Sequence, residues 1–306
     1  MGYLWFTIKV MGNQTTELQE VPRLAKELGL LKLYLKREDK HPYGSQKGRS
    51  IPYLIDLYTK EGFEKFAISS SGNAALAAGL YIKEKNKSIE NPISLEIFIG
   101  EKIDSAKEKF LRERLTDTNI KIVKTERPKQ ELIKKTAGGD VKSLRQSTDE
   151  NALVGYFDLA SELILVEGLS DIFVGASSGT ASEGIATGLF QKHSHISHHI
   201  VQTTRCHTLA QAVFPKKVWE TEESIAGAIV DNIGYRKERV AKYVKKSKGG
   251  AWVVSNQEIK SAIDLLKKTE KIELTSNGIL SVAGLIQAIN EGKKFKGTVA
   301  CVAGGK

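Results

Sequence analysis

Cysteine is scarce in this chain, with two in 306 residues. Cys206 and Cys301 stand far apart and without sequence partners, so no disulfide scaffold is expected and a reducing compartment, the cytoplasm, is. Long apolar runs are missing too. No segment approaches the roughly 20 residues of a membrane-spanning helix. Met1 to Val10 carries an apolar patch, but no basic region followed by a long apolar run, so no signal peptide is expected. No internal repeat or low-complexity tract stands out. No Ser-His-Asp arrangement can be argued, because no histidine sits in a catalytic-looking local motif. The Gly175 to Thr180 loop lacks the Gly-Lys-Ser/Thr of a P-loop, and it is not G-x-G-x-x-G.

What is present suits one large domain or two of ordinary size. Hydrophobic residues make up 41% of the chain, enough for a real core. The net charge is +10. The densest basic block runs from Arg236 to Lys248 with interleaved tyrosines, a pattern that suits nucleic-acid binding. Val240 and Val244 sit four apart, however, which fits an amphipathic helix with a solvated basic face. The solvated face is the preferred reading, and a basic surface also attracts small anionic substrates. The run His193-Ser-His-Ile-Ser-His-His199 holds four imidazoles. It lacks a cysteine or paired carboxylate to complete a metal set, and it falls where a polar connecting loop is expected. No metal is expected there, and the run reads as dispensable.

Strand-like and helix-like segments alternate. Leu31, Leu33 and Leu35 alternate as in a half-buried strand. Ile51, Leu54, Ile55 and Tyr58 follow at helical spacing. Phe66–Ile68, Leu95–Ile99, Ile120–Val123, Ile172–Val174, His199–Val201 and Thr298–Val302 complete the expected strands. Helices are expected over Ala74–Lys85, Asp104–Leu115 and Asn151–Val166. This rhythm predicts an α/β fold with largely parallel sheets. Thr136 to Asp140 marks a junction, and His41 to Ser50 a crossing.

Candidate site segments fall just beyond the C-terminal ends of expected strands, where open parallel sheets bind ligands. Lys47 closes the turn Gly44-Ser45-Gln46 just before a helix. An amine pinned this way suits Schiff-base chemistry better than a free surface ammonium. Ser70-Ser71-Gly72-Asn73 opens a helix, where hydroxyls and free N–H groups suit a carboxylate, although a plain N-cap would look the same. Gly175-Ala-Ser-Ser-Gly-Thr180 also leads into a helix, and its small residues let backbone amides approach a phosphate. Val302-Ala303-Gly304-Gly305-Lys306 follows the last strand.

The segment Lys36 to Arg49 resembles the cofactor-lysine stretch of the pyridoxal-phosphate enzymes related to the tryptophan synthase β-chain, threonine synthase and cysteine synthase. That stretch usually reads K-x-E-x-x-N-P-T-G-S-[FI]-K-D-R. This chain keeps Lys36, Glu38, Pro42, Gly44, Ser45, Lys47 and Arg49. It departs at His41, Tyr43, Gln46 and Gly48. The resemblance extends over nearly the whole chain, through Thr16–Leu18, Asn151–Glu162, Ser224–Ala228 and Asn277–Leu285, with Thr275 where a glutamate is usual. It implies two open parallel-sheet lobes with the cofactor in the cleft between them. A smaller lobe, 48–137, would be inserted into a larger one made of 1–47 and 138–306. It implies pyridoxal 5'-phosphate bound covalently at Lys47. Asn73 would hydrogen-bond the cofactor's phenolic oxygen, and Ser177, Ser178, Gly179 and Thr180 would hold its phosphate. Ser70, Ser71, Gly72 and Asn73 would bind the amino-acid substrate. Ala303 takes the position where the family has a serine or threonine facing the pyridine nitrogen. The implied protein is a homodimer that eliminates or replaces a substituent on a small amino acid, like threonine synthase or threonine/serine dehydratase. A cofactor-binding homologue with a regulatory role is the alternative, and a nucleic-acid-binding protein the remoter one.

Overall fold

The computed structural model describes residues 15–192 and 195–305. Met1 to Val10, read above for a leader, lies outside them, as do His193 and Lys306. Six strands form the larger sheet: β1 (Leu18–Glu20), β2 (Lys32–Lys36), β7 (Leu169–Gly175), β8 (Ser197–Thr203), β9 (Ala251–Val254) and β10 (Thr298–Val302). Four form the smaller: β3 (Lys65–Ser69), β4 (Ser94–Gly100), β5 (Ile120–Thr125) and β6 (Lys142–Ser143). The larger sheet has the order β1-β2-β10-β7-β8-β9, the smaller β5-β4-β3-β6. All pairings are parallel except β1 with β2. The α/β fold expected from the alternating pattern is therefore present, as two sheets.

Strand β10, at the end of the chain, lies between β2 and β7, with Cys301 level with Leu35 and Phe173. All five of its residues are buried, as in a central strand covered on both faces. Side-chain alternation divides them. Val299 and Cys301 pack with Leu33, Leu35 and Phe173 on one face, while Ala300 and Val302 pack with Ile172, Val174 and Ile185 on the other. Cys206 and Cys301 are both buried and free. No described helix is long and apolar enough to cross a membrane.

Several expectations need correction. Leu31 lies outside β2 and is exposed, leaving Leu33 and Leu35 as the buried pair. The helix expected over Asn151–Val166 splits into a 3-10 stretch, Glu150–Tyr156, and an α-helix, Phe157–Ile164. The 3-10 stretch runs against the helix Lys47–Lys60. A Cβ on Gly155 would come within 2.5 Å of the Arg49 carbonyl oxygen and Ser50 Cα. Ser50 Oγ also donates to the Ala152 carbonyl at 2.7 Å. Strands β1, β6 and β9 had no counterpart in the sequence reading.

The histidine run is the largest correction. His195 is exposed, but His198 and His199 are inside β8 and buried. His198 Nε2 shares a hydrogen bond with Ser182 Oγ at 2.7 Å. His199 Nε2 meets Asp171 Oδ1 at 2.9 Å and its ring stacks on Phe173, 4.3 Å between centroids. These rings are core side chains with polar partners, not part of a connecting loop.

One buried ion cluster joins the first third of the chain to the helix before β7. Arg49 pairs with Glu38 at 2.7 Å and with Glu162 at 2.6 Å. Lys36 pairs with Glu162 as well. Thr16 Oγ1 donates to Glu38 at 2.5 Å, and Lys36 Nζ to the Thr16 carbonyl at 2.5 Å. Two cations face two carboxylates, so the cluster is neutral as a whole.

Arg49→Met should cost about 3–5 kcal/mol of stability, the usual effect of orphaning buried charge. Urea unfolding measures it, and a loss under about 1 kcal/mol would contradict a structural role. His198→Ser and His199→Ser should each cost about 1–3 kcal/mol, through lost packing and an unpaired partner. Burial also pushes His198 down to about 3, and His41 down to about 4, from the ordinary 6.5. Both are neutral when folded and protonate more readily when unfolded. Stability should thus be full above pH 6.5 and fall as the pH drops below it, by about 2 kcal/mol per histidine at pH 5. Urea midpoints at pH 7.5 and 5 should differ less in His198→Ser than in the parent; an equal difference would remove His198 as a cause.

Candidate active site

The turn before Lys47 is held from inside. Gly44 has φ 83°, a left-handed conformation that glycine tolerates. Ser45 is fully buried, and its Oγ accepts the Lys47 N–H at 3.2 Å. The Gly48 N–H donates to the Ser45 carbonyl at 2.9 Å. The family departures in this turn fit one another. A Cβ on Gly48 would collide with the His41 ring. His41 Nδ1 accepts the Tyr43 N–H at 3.2 Å, and Tyr43 Oη donates to Glu84 at 2.6 Å. The Gln46 N–H donates to the Gly304 carbonyl at 3.2 Å.

Lys47 Nζ donates to Gln146 Oε1 at 2.8 Å. Loss of water around the amine pushes its pKa down from 10.5 to about 8; the Asp231 carboxylate opposes this and the Arg236 guanidinium adds to it. An amine with this proton affinity has a substantial neutral fraction near neutral pH, and the neutral form attacks a carbonyl.

The other expected segments follow β3, β7 and β10 at their C-terminal ends, as predicted. Gly305 pairs with Ser45 in an antiparallel bridge. A Cβ on Gly305 would fall 2.6 Å from Ser45 Cβ and 2.7 Å from Asn73 Nδ2. Only glycine lets the lysine turn, the last loop and Asn73 meet this closely. Asn73 begins the helix Asn73–Lys85, which has no side-chain cap, so its first N–H groups are not taken by the Ser70 or Ser71 hydroxyl. Ser70 Oγ instead accepts the Gly72 N–H at 3.3 Å, and Ser71 and Gly72 are exposed.

The loop after β7 enters the helix Thr180–Gln191 through Gly179, at φ 86°, again without a side-chain cap. Ser178 and Thr180 hydroxyls share a hydrogen bond at 3.0 Å. Thr180 Oγ1 also donates to the Gln146 carbonyl at 3.3 Å, so this loop and Lys47 share one residue. Ser177 Oγ accepts the N–H groups of Val230 and Asp231, at 3.1 and 3.2 Å. Left-handed glycine, hydroxyls and uncapped amides at a helix start form a donor set suited to a phosphate.

Ala303 is fully buried within the apolar cluster of the larger sheet, and its N–H donates to the Lys36 carbonyl at 3.0 Å. Three hydroxyls of the segment 275–281 donate to main-chain oxygens, two of them in the last strand and loop. Thr275 donates to Gly305, Ser276 to Ile225 and Ser281 to Val302.

Sequence reading missed Gln146, Asp231 and Arg236. Gln146 lies in a polar stretch with no motif of its own. Arg236 was one basic residue among many in a block assigned to solvent. The helix Lys237–Lys246 does bury Val240 and Val244 and expose its lysines, but Arg236 at its start is fully buried.

The chain is similar to known proteins along nearly its whole length. A threonine synthase from Bacillus sp. (strain ULM1) is 24% identical over 301 residues, covering 95% of this chain and 82% of the relative. Among solved structures, a pyridoxal 5'-phosphate-dependent aspartate racemase superposes with a TM-score of 0.78 at 18% identity, covering 96% of this chain and 90% of the other. The processed form of threonine deaminase isoform 2 from Solanum lycopersicum gives 0.76 at 18% identity, over 97% and 85%. The profile described as "Pyridoxal-phosphate dependent enzyme" matches residues 10–305, and the chain belongs to that family.

Proposed function

We propose that this protein catalyses β-elimination or β/γ-replacement on a small amino acid, in the manner of threonine synthase or threonine/serine dehydratase. The observation that carries the reading is the Lys47 amine, lowered to about 8 and held on Gln146 beside the loop that ends at Thr180. When bound, pyridoxal phosphate supplies an electrophilic carbonyl carbon and a conjugated ring that takes up electrons released at Cα. The residues in hand fit it, with a reactive amine on one side and an uncapped hydroxyl-rich helix start on the other. Ser177, Ser178, Gly179 and Thr180 would hold the phosphate, and Asn73 the phenolic oxygen. Ser70, Ser71, Gly72 and Asn73 would bind the substrate carboxylate and turn its Cα–H towards Lys47. Lys47, once free, would take that proton as general base. In this reading the smaller lobe takes 48–137 and, beyond the bound expected from sequence, β6 (Lys142–Ser143), which pairs with β3 in its sheet; it is inserted into 1–47 and the rest of 138–306. The support for it is that β2 and β10, from opposite ends of the chain, are neighbours in one sheet.

Ala303 favours elimination over racemisation. Its methyl side chain offers the ring nitrogen no hydroxyl. Racemisation must hold the charge left at Cα until a proton arrives on the opposite face. In β-elimination the leaving group carries that charge away. The same alanine supports the second reading, a cofactor-binding homologue with weak turnover and a regulatory role.

Borohydride reduction of the cofactor-loaded protein should trap an adduct on Lys47, and Lys47→Ala should abolish it while keeping the far-ultraviolet circular dichroism. An adduct mapped to another lysine would remove the basis of this reading. Serine should give pyruvate and ammonia, or threonine 2-oxobutanoate and ammonia. A trapped adduct with no such product and no replacement reaction would favour the regulatory homologue. Ala303→Ser should change turnover by about tenfold, equivalent to about 1.4 kcal/mol in the barrier. Unchanged turnover and an unchanged absorption band would mean that position 303 does not act on the ring.

A further inference from the structure

Arg236 is fully buried, and the reaction sketched above leaves it without a task. Its Nη2 donates to the carbonyl oxygens of Gln146 at 2.9 Å and Asp149 at 2.6 Å. Its Nη1 pairs with Glu183 at 3.0 Å and with Glu150 at 3.4 Å. Glu183 stands in the first turn of the helix that starts at Thr180. The Gln146 carbonyl also takes the Thr180 hydroxyl, and the Gln146 side chain takes the Lys47 amine. A continuous path of hydrogen bonds therefore runs from Glu183 through Arg236 and Gln146 to Lys47, with Thr180 joining at the Gln146 carbonyl. Arg236 also packs under the loop, since a Cβ on Gly179 would lie 3.4 Å from Arg236 Cβ.

We propose that Arg236 is a positioning residue for Lys47, clamping the Gln146 main chain to the Thr180 helix so that the lysine amine and the phosphate loop are held as one unit. This deepens, and rests on, the reading of Lys47 as the cofactor lysine. The clamp uses the planar fork of arginine. Two carbonyls and a carboxylate are met by one guanidinium, which a lysine ammonium on a flexible stem cannot reproduce. The charged groups around the pair are few. Asp231 and Arg236 act on the Lys47 amine, while Glu150, Glu183 and Arg239 surround the guanidinium. Burial has the largest effect on the proton affinity of Lys47, Asp231 raises it and Arg236 adds to the lowering, so the residue that holds the amine in place also contributes to its charge state. Arg239 provides an internal control. It pairs with the same two carboxylates, at 2.7 Å to Glu150 and 2.9 Å to Glu183, yet its bonds do not reach Gln146.

The test uses the full chain with cofactor removed, and then its reconstitution. Acetic anhydride labelling of Lys47, followed across pH by mass spectrometry, reads the amine's proton affinity without any turnover. The absorbance change on adding pyridoxal phosphate reads the capture rate. Arg236→Gln should raise the labelling midpoint and so slow labelling at pH 7.5. Arg236→Lys keeps the charge and should leave the midpoint near the parent value. Both should slow capture by about tenfold, and Arg239→Gln should change neither quantity by more than about twofold. If Arg236→Gln does not fold, Gln146→Leu breaks the path at its last link and should slow capture by a similar factor. A parent-like midpoint in Arg236→Gln, or parent-like capture in Arg236→Lys or Gln146→Leu, would overturn the proposal. A borohydride adduct on a lysine other than Lys47 would instead overturn the underlying reading.

Discussion

The buried cluster of Arg49, Glu38, Glu162 and Lys36 is the constraint on which the rest of the site depends. Taking four charges out of water is costly unless each is paired and hydrogen-bonded. Here the requirement is met, and Thr16 adds three further bonds. The consequence for Lys47 is geometric. Successive helical residues turn by about 100°, so residues 47 and 49 point to nearly opposite sides of the helix. Arg49 is drawn into the cluster, and Lys47 is therefore turned away from it, toward Gln146. The charged residues of the lysine stretch thus fix the direction of a neighbour they do not touch.

The departures from the family pattern make sense as a set. His41 fills the space that any side chain at position 48 would need, so histidine at one position goes with glycine at the other. Burial keeps that histidine neutral, which suits its place beside the buried ion cluster. Gln46 stands where the family carries an apolar residue, and its side chain lies 3.3 Å from where a Cβ on Gly304 would be. The lysine turn and the last loop fit one another and are joined by the Ser45–Gly305 bridge.

Much of the fold was legible because strand alternation survives in the residues that face the core. Leu33 and Leu35, or Phe66 and Ile68, announce their strands without help. The loops were legible for another reason: each alone could be a plain N-cap, but several fall together just beyond strand ends, where open parallel sheets bind ligands. What escaped depended on tertiary partners. Ala251–Val254 is a four-residue apolar run after Gly249-Gly250, too short to separate from a helix fragment by period. His198 and His199 read as polar until Ser182 and Asp171 are seen opposite them. Arg236 differs from its basic neighbours only in having Gln146, Asp149 and Glu183 within reach. No local pattern in the sequence distinguishes such an arginine from a solvated one.

The charge of the chain as a whole says little about the charge at its centre. A net +10 would disfavour yet another ammonium anywhere in a low-dielectric cleft, but the largest influence on Lys47 is loss of water, followed by its two charged neighbours. At pH 7.5 an amine of pKa about 8 is neutral in about a quarter of molecules, against about one in a thousand for an ordinary lysine. That difference of about two hundredfold in the attacking species comes mainly from burial, with Asp231 opposing it and Arg236 adding to it, before any alignment with a carbonyl is counted. Burial by itself would leave the amine unaimed. Gln146 provides the aim, accepting one proton of the amine while its own main chain is held on Arg236 and Thr180. Reactivity at this lysine therefore follows from two separable features, a dry wall that lowers its proton affinity and a clamped acceptor that directs it.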